Sequence, residues 1–294
     1  MGETGTIEVT GGRVWYERLG GGDATPLLTL HGGPGAAHHY IRPFAERMAA
    51  HRPVILYDQL GCGASDKPDD PSLWTLDRAV DEVDQVRAAL GLEERCHLFG
   101  QSWGGWLSIE YFARGRGTGV LGLILASTSA SIKQFTDEAA RLIDDLPEPH
   151  ATVLKELGAQ GRYDDPAYLE AVDVFYRRHL CRLPEWPEDM RKTAAELDGN
   201  QVYLTLNGPT EFDVIGTLRT WDRSGDLGRI DVPTLVTCGR FDEITPACSE
   251  TITQGVADAR MVVFETSAHC AHLEEPDRYA EVVEGFLREV EAAA

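Results

Sequence analysis

The pattern of apolar and polar positions changes along the chain, and each change predicts a different element. An alternation around a Gly-Gly pair predicts an N-terminal β-hairpin in TIEVTGGRVWYERLG. Four short apolar runs then predict buried strands: PLLTLHGG, PVILYDQLG, CHLFGQS and VLGLILAST. Helical spacing of apolar residues predicts an amphipathic helix through Leu76, Val80, Val83, Val86 and Leu90, and WGGWLSIEYFA begins another helix. Alternating strands and helices predict an α/β fold, with a mostly parallel sheet and helices on both faces.

This alternation stops between residues 130 and 222. The stretch is acidic and helical in tendency, and prolines interrupt it in LPEPH, DDPAY and LPEWPED. Strand patterns resume in PTLVTCGRF and ARMVVFETS, and a final helix is predicted in PDRYAEVVEGFLREVEAAA. The pattern therefore predicts one sheet domain, formed by residues 1–129 and 223–294, with residues 130–222 inserted as a helical cap.

Composition narrows the classes of function. The chain has 294 residues, 43% of them hydrophobic, and a net charge of −21, which disfavours nucleic acids and anionic membranes as partners. No apolar run approaches the length of a membrane span. The first residues lack the character of a signal peptide, and the six cysteines show no C-x-x-C spacing, so we expect reduced thiols in a cytoplasmic protein. Without H-E-x-x-H, P-loop or G-x-G-x-x-G motifs, we expect no metal, nucleotide or other cofactor.

A candidate nucleophile lies in GQSWG, which has the form G-x-S-x-G and spans Gly100 to Gly104. The motif falls between a predicted strand and a predicted helix. A sharp turn there would lift the Ser102 hydroxyl above the sheet, and the small neighbours would make room for it. A bare match is often only a turn, but this context favours a catalytic serine.

A serine hydroxyl needs a base, and the base needs an acid that orients it. The chain order expected for this fold is Ser, then Asp or Glu, then His. GRFDEITP places Asp242 at the end of a predicted strand, and ETSAHCAHLEEP places His269 just beyond the next one. His272 is the alternative base, but it lies further from the strand end and is expected in the following turn.

The glycine-rich motif HGGPG, residues 31–35, follows the first central strand. Such a loop can direct backbone N–H groups at an oxyanion that develops during acyl transfer. We expect the donors to be the N–H groups of Gly33 and of Trp103, the residue after the candidate nucleophile.

Six segments together resemble the proline iminopeptidases among the α/β-hydrolase serine peptidases. They are LTLHGGPG, LYDQLGCGASDKP, FGQSWGG, NGPTEFDVIGTL, CGRFDEITP and SAHCAHLEEP. The chain is particularly similar to the shorter members, which include the tricorn-interacting aminopeptidase and amino acid amidases. The similarity extends from about residue 6 to the C-terminus and is weak across much of the insertion. H-G-G-P-G is shared with other hydrolases, whereas NGPTEF in the cap together with the Asp-Glu pair is more specific.

The resemblance implies release of an N-terminal residue, often proline, from short peptides through an acyl-enzyme. It also implies that Glu211 and Glu243 hold the free amino group of the substrate. The residues offer independent support for Glu243, because a second acid beside Asp242 is tolerable only if its charge faces a positive partner. Spacing alone would have assigned Glu211 to a solvated surface of the cap.

Other functions stay open at this stage. An amino acid amide or ester hydrolase would use the same amine-binding residues, and a non-catalytic ligand receptor could share the scaffold. A dehalogenase or epoxide hydrolase is disfavoured, because it would carry Asp where this chain has Ser102. A pocket for the proline ring cannot be located from the sequence, although five aromatic residues are candidates: Trp103, Trp106, Phe135, Tyr176 and Trp221.

Overall fold

The computed structural model describes residues 2–293, and an eight-stranded sheet lies at its centre. The strands are β1 (Glu3–Val9), β2 (Gly12–Leu19), β3 (Leu27–Leu30), β4 (Val54–Tyr57), β5 (Cys96–Gln101), β6 (Val120–Ala126), β7 (Thr234–Gly239) and β8 (Ala259–Phe264). Their spatial order is β1-β2-β4-β3-β5-β6-β7-β8. The pairs β1–β2 and β2–β4 are antiparallel, and the other five pairs are parallel. The predicted N-terminal hairpin and mostly parallel sheet are confirmed.

Eleven α-helices accompany the sheet in the described part of the chain. In chain order they are α1 (Arg42–Met48), α2 (Leu76–Ala89), α3 (Trp103–Ala113), α4 (Ile132–Asp144), α5 (His150–Ala159), α6 (Pro166–His179), α7 (Glu188–Leu197), α8 (Gln201–Leu206), α9 (Pro246–Gly255), α10 (Ala271–Glu274) and α11 (Pro276–Ala293). Five of them, α4 to α8, lie between β6 and β7, in the stretch where the strand pattern is interrupted. None of the described helices combines the length and apolar character that crossing a bilayer would require.

The central strands are buried on both faces, which explains their continuous apolar runs. On β3, Leu27 and Leu28 belong to different hydrophobic clusters, and Leu98 and Phe99 on β5 are divided in the same way. The cluster of Leu28 and Leu98 also contains apolar residues of α2, α3 and α9, whereas the cluster of Leu27 and Phe99 contains those of α1 and α11. Helices therefore cover both faces of the sheet, as predicted.

After helix α8, the chain passes beside α3, where Trp221 and Arg223 form hydrogen bonds with Glu110. The fully buried Glu110 carboxylate accepts hydrogen bonds from Trp221 Nε1 at 2.9 Å, from Arg223 Nε at 2.7 Å and from Arg114 Nε at 2.7 Å. Burial alone would raise the pKa of Glu110, but these hydrogen bonds lower it to about 2. This contact joins the end of the insertion to the helix that begins at the candidate nucleophile.

Candidate active site

Ser102 lies between β5 and α3 with φ 55° and ψ −119°. A positive φ is costly for a residue with a side chain, so surrounding contacts must hold this conformation. Ser102 N–H donates to the carbonyl of Ala126 at 2.9 Å, and Thr128 Oγ1 donates to the Ser102 carbonyl at 2.9 Å. The end of β6 thus stabilises the sharp turn that the G-x-S-x-G motif predicts.

The glycines on either side of Ser102 are required by close backbone packing. A Cβ atom at Gly100 would lie 2.3 Å from the Gly104 carbonyl oxygen, and one at Gly104 would lie 2.0 Å from the Leu30 carbonyl oxygen. Any larger residue would push α3 away from β5 and β3. The two glycines therefore allow the first turn of α3 to approach the sheet directly behind Ser102.

Asp242 and His269, the predicted acid and base, lie in hydrogen-bond contact. Asp242 follows β7 and His269 follows β8, and His269 Nδ1 donates to Asp242 Oδ1 at 2.8 Å. Both side chains are buried, and the same carboxylate oxygen accepts the N–H of Ile244 at 2.9 Å. Since Nδ1 carries the proton, Nε2 of the neutral imidazole remains available as a base.

The acidic surroundings of His269 favour its protonated form. Burial by itself lowers the pKa of His269, but the charge and hydrogen bond of Asp242, together with Glu243 and Glu211, raise it to about 9. The alternative base, His272, has a different environment. Its Nε2 donates to the Tyr40 carbonyl at 3.1 Å, and burial lowers its pKa to about 3. The geometry thus distinguishes the two histidines.

Ser102 and His269 line one cavity of about 600 Å³. Gly33, Gln101 and Glu211 also contribute to its wall. No hydrogen bond joins Ser102 Oγ to His269 among residues 2–293. Catalytic hydrogen bonds are often long before a substrate binds, so their absence does not separate the two residues functionally.

The HGGPG loop brings Gly33 to this cavity. Gly33 has φ 105°, and a Cβ atom there would lie 2.5 Å from the Gly35 nitrogen, so the turn requires glycine. Within the described residues, the Gly33 N–H donates no hydrogen bond. Trp103 is the first residue of α3, and such a position leaves its N–H without an intrahelical acceptor. Both predicted oxyanion donors are therefore free to bind a ligand.

Three buried side chains that the sequence analysis did not single out support the HGGPG loop and the residues that follow it. Tyr40 Oη accepts the N–H of Gly32 at 2.7 Å and donates to Gln101 Oε1. Asp58 accepts the N–H of His38 at 2.7 Å and its Nδ1–H at 2.8 Å. Asp58 lies in the motif LYDQLG, which contributed to the resemblance, but no local pattern reveals these contacts.

The two glutamates lie in different positions around His269. Glu211 is half-buried and lines the cavity, and its backbone N–H donates a hydrogen bond to Tyr176 Oη at 3.2 Å. Glu243 is 1% exposed and does not line the cavity, and its Oε1 is 4.0 Å from His269 Nδ1. Its Oε2 has no hydrogen-bond partner among the described residues. Glu211 is thus placed for direct contact with a ligand, and Glu243 for action through its charge.

Both glutamate carboxyl groups are poorly solvated. Burial raises the pKa of Glu211 to about 6, against the opposing influence of His269. Burial also raises the pKa of Glu243 well above its usual range, as do the charges of Glu211 and Asp242, while His269 opposes this effect. A cation in the cavity would relieve this concentration of negative charge.

The segment between β6 and β7 provides much of the apolar wall of the cavity. Six of these wall residues are Leu180, Trp186, Met190, Leu197, Tyr203 and Leu204. Of the five aromatic residues considered for the substrate pocket, Tyr176 lines the cavity, whereas Trp103, Trp106, Phe135 and Trp221 pack in the core. Within residues 2–293, no group of three or more His, Cys, Asp or Glu side chains is arranged to hold a metal ion.

Comparisons with known proteins agree with this geometry. The family model of the alpha/beta hydrolase fold matches residues 25–276. The proline iminopeptidase of Saccharolobus solfataricus is 38% identical over 290 residues, which cover 98% of this chain and 93% of that protein. The proline iminopeptidase of Heyndrickxia coagulans is 37% identical over 287 residues, covering 97% and 99%.

Two solved structures are also similar to this chain over nearly its full length. The crystal structure of the Mycobacterium smegmatis proline iminopeptidase superimposes with a TM-score of 0.90 at 36% identity and covers 99% of both chains. The crystal structure of VinJ superimposes with a TM-score of 0.94 at 40% identity, covering 98% of this chain and 99% of VinJ. The fold, the strained serine and these full-length similarities show that the chain belongs to the α/β-hydrolase fold family and, within it, to the proline iminopeptidases.

Proposed function

We propose that this protein is a serine aminopeptidase that releases an N-terminal residue, preferably proline, from short peptides through an acyl-enzyme. The observation that carries the proposal is the buried Asp242–His269 pair, joined at 2.8 Å, in one site with the strained Ser102 and two poorly solvated glutamates. The proline iminopeptidases of two other organisms, similar over nearly their full lengths, support the same activity.

In the proposed reaction, Ser102 Oγ attacks the carbonyl carbon of the first residue while His269 Nε2 accepts its proton. Asp242 holds the imidazole in the required tautomer. The N–H groups of Gly33 and Trp103 bind the oxyanion. His269 then returns the proton to the leaving amine as the C–N bond breaks, and water, deprotonated by the same imidazole, hydrolyses the acyl-enzyme.

Recognition of a free N-terminal amine is assigned to Glu211 and Glu243. An ammonium group beside them would supply the positive charge that the site lacks and would hold the first residue against Ser102. An internal peptide bond brings no such charge, so cleavage would be confined to the N-terminus. The partner of this site is therefore a small peptide, or an amino acid amide or ester, with a free amine.

Residues 130–222 are proposed to act as a cap on a core formed by residues 1–129 and 223–294. The apolar wall residues on the inserted helices support this assignment. A cap would limit substrate length and exclude water from the reacting groups. We place the enzyme in the cytoplasm, since the six cysteines are buried and none forms a disulfide within the described chain.

An amino acid amide or ester hydrolase is the second candidate, and the charge of the cavity wall favours it. Among the described residues, the wall contains Asp164, Asp198 and Glu211 but no lysine or arginine. A leaving group with its own carboxylate, such as the glycine of Pro-Gly, would meet these acidic side chains and no cation apart from His269, which must be neutral to act as the base. Comparing kcat/KM for proline amide, a proline ester and Pro-Gly would decide between the two candidates.

The proposed function is tested first at Ser102. We expect a fluorophosphonate probe to label Ser102, and Ser102→Ala to lower turnover of a prolyl arylamide by several orders of magnitude. Ser224→Ala, which changes an exposed serine, is the matched control and should keep both labelling and activity. An active Ser102→Ala enzyme, or labelling at another residue, would refute the nucleophile. Ligand binding without labelling or turnover would indicate a receptor.

A further inference from the structure

The side-chain amide of Gln101 carries a buried donor without a partner. Gln101 is the last residue of β5, directly before Ser102, and it lines the cavity while being only 1% exposed. Its Nε2 makes no hydrogen bond among the described residues. A buried donor left unpaired costs about 1–3 kcal/mol. A bound substrate that supplied an acceptor would remove this cost.

The orientation of this amide follows from its neighbours. Tyr40 Oη accepts the N–H of Gly32 at 2.7 Å, so its own hydrogen is directed to Gln101 Oε1. Burial raises the pKa of Tyr40 well above its usual range, which keeps the hydroxyl protonated and able to donate. Because Oε1 accepts the hydrogen bond from Tyr40, the group without a partner is the Nε2 amide NH2, which is a donor.

The chemistry of an aminoacyl substrate limits what Nε2 can bind. The substrate ammonium is itself a donor and is matched by the glutamates. The scissile carbonyl oxygen has the N–H groups of Gly33 and Trp103, and the proline ring carries no acceptor. The remaining acceptors belong to the leaving group, whose first carbonyl lies a few bonds beyond the scissile nitrogen.

We propose that Gln101 Nε2 donates a hydrogen bond to a carbonyl oxygen of the leaving group, and that this contact makes Gln101 a determinant of specificity for peptide-like leaving groups. The inference rests on the proposed aminopeptidase function and adds a recognition element on the far side of the scissile bond. Tyr40 has a separate part in this arrangement, since it holds the Gln101 amide and the HGGPG loop together.

The test compares two substrates that differ in the leaving group. Prolyl-glycinamide offers a carbonyl at the required place, and prolyl p-nitroanilide does not. Gln101→Met keeps the size of the side chain and removes the donor, so the kcat/KM ratio of the peptide to the anilide should fall about three- to tenfold, as expected for one hydrogen bond. Ser224→Ala, which changes an exposed serine, is the control and should leave the ratio within about twofold. Tyr40→Phe removes the hydroxyl that orients the Gln101 amide, so it should lower both rates and also lower the ratio.

A second variant separates the loss of the donor from a general disturbance of the fold. Gln101→Glu keeps the acceptor for Tyr40 and removes the donor, so it should lower the same ratio. Labelling of Ser102 by a fluorophosphonate reports an intact nucleophile in each variant, independently of the leaving group. An unchanged ratio in the labelled Gln101 variants, or an equal fall in Ser224→Ala, would overturn the proposal while leaving the aminopeptidase function intact. If the wild type cleaved neither substrate, the proposed function itself would fail.

Discussion

The proposed amine-binding role of Glu211 is open to a direct test, because Glu211 lies in the cavity wall together with His269. Glu211→Gln keeps the size of the side chain and one acceptor oxygen but removes the negative charge. The backbone contact from Glu211 N–H to Tyr176 does not involve the side chain and should survive the change. The variant therefore isolates the charge of this one group.

The expected loss of kcat/KM depends on how completely the Glu211 carboxylate and the substrate ammonium are desolvated. Truncating one partner of a desolvated charge pair costs about 2–5 kcal/mol, and the oxygen retained by glutamine places Glu211→Gln in the lower half, near a 30- to 400-fold loss in kcat/KM. Glu243 does not line the cavity and is proposed to act only through its charge, so Glu243→Gln should cost less, about 1–2 kcal/mol.

The assay is a cycle of two enzymes and two substrates. Prolyl p-nitroanilide presents the amine, and its N-acetyl derivative does not. We expect the wild type to cleave the acetylated substrate poorly, and Glu211→Gln to lower kcat/KM for the free amine while changing the acetylated rate little. The amine-binding role is refuted if both enzymes have the same kcat/KM for the free-amine substrate, or if the wild type cleaves both substrates equally well. The protein would then be better described as a general amidase or esterase.

Two further predictions concern ionisation. Burial lowers the pKa of His269 but its acidic neighbours raise it to about 9, so kcat/KM for a prolyl arylamide should rise with pH as the imidazole loses its proton, until the substrate ammonium loses its own proton. Glu243→Gln removes a charge 4.0 Å from Nδ1 and should move this limb to lower pH; a limb that stays in place contradicts the electrostatic account. Glu110 has its pKa lowered to about 2 in the folded protein, so it stabilises the fold fully above about 4.5, and this contribution is lost as the pH falls towards about 2. Allowing for the exposure of its arginine partners, Glu110→Gln should reduce the free energy of unfolding in urea by about 2 kcal/mol at neutral pH. The difference should shrink in acid, and a constant difference from pH 7 to pH 3 would contradict this reasoning.

The sheet and the turn at Ser102 could be predicted because their causes are local. Strands buried on both faces must be apolar along their whole length, so the runs around Leu28 and Leu98 are visible without any knowledge of their partners. The turn between β5 and α3 needs glycine at positions 100 and 104, where a Cβ atom would collide with backbone oxygens. Such local requirements can be recognised in the sequence alone.

The positions of Ser102, Asp242 and His269 along the chain follow from the same topology. Each lies just beyond the carboxyl end of a parallel strand, and these ends meet at one edge of the sheet. The topology therefore brings them together whatever the intervening segments do. The choice between His269 and His272 was less certain from the sequence, and the contact of His272 with the Tyr40 carbonyl separates the two.

Only the tertiary structure decided where the glutamates and the buried amide lie. Glu211 comes from the segment after α8, and spacing alone would have left it on a solvated surface; its place in the cavity wall depends on how the inserted helices pack over the sheet. Tyr40 and Gln101 are 61 residues apart, and neither belongs to a pattern that foretells their hydrogen bond. Local pattern determines which face of a strand or helix is buried. Contacts between distant segments, and the desolvation that shifts the pKa values of Glu211 and Glu243, arise only when the packed elements exclude water together.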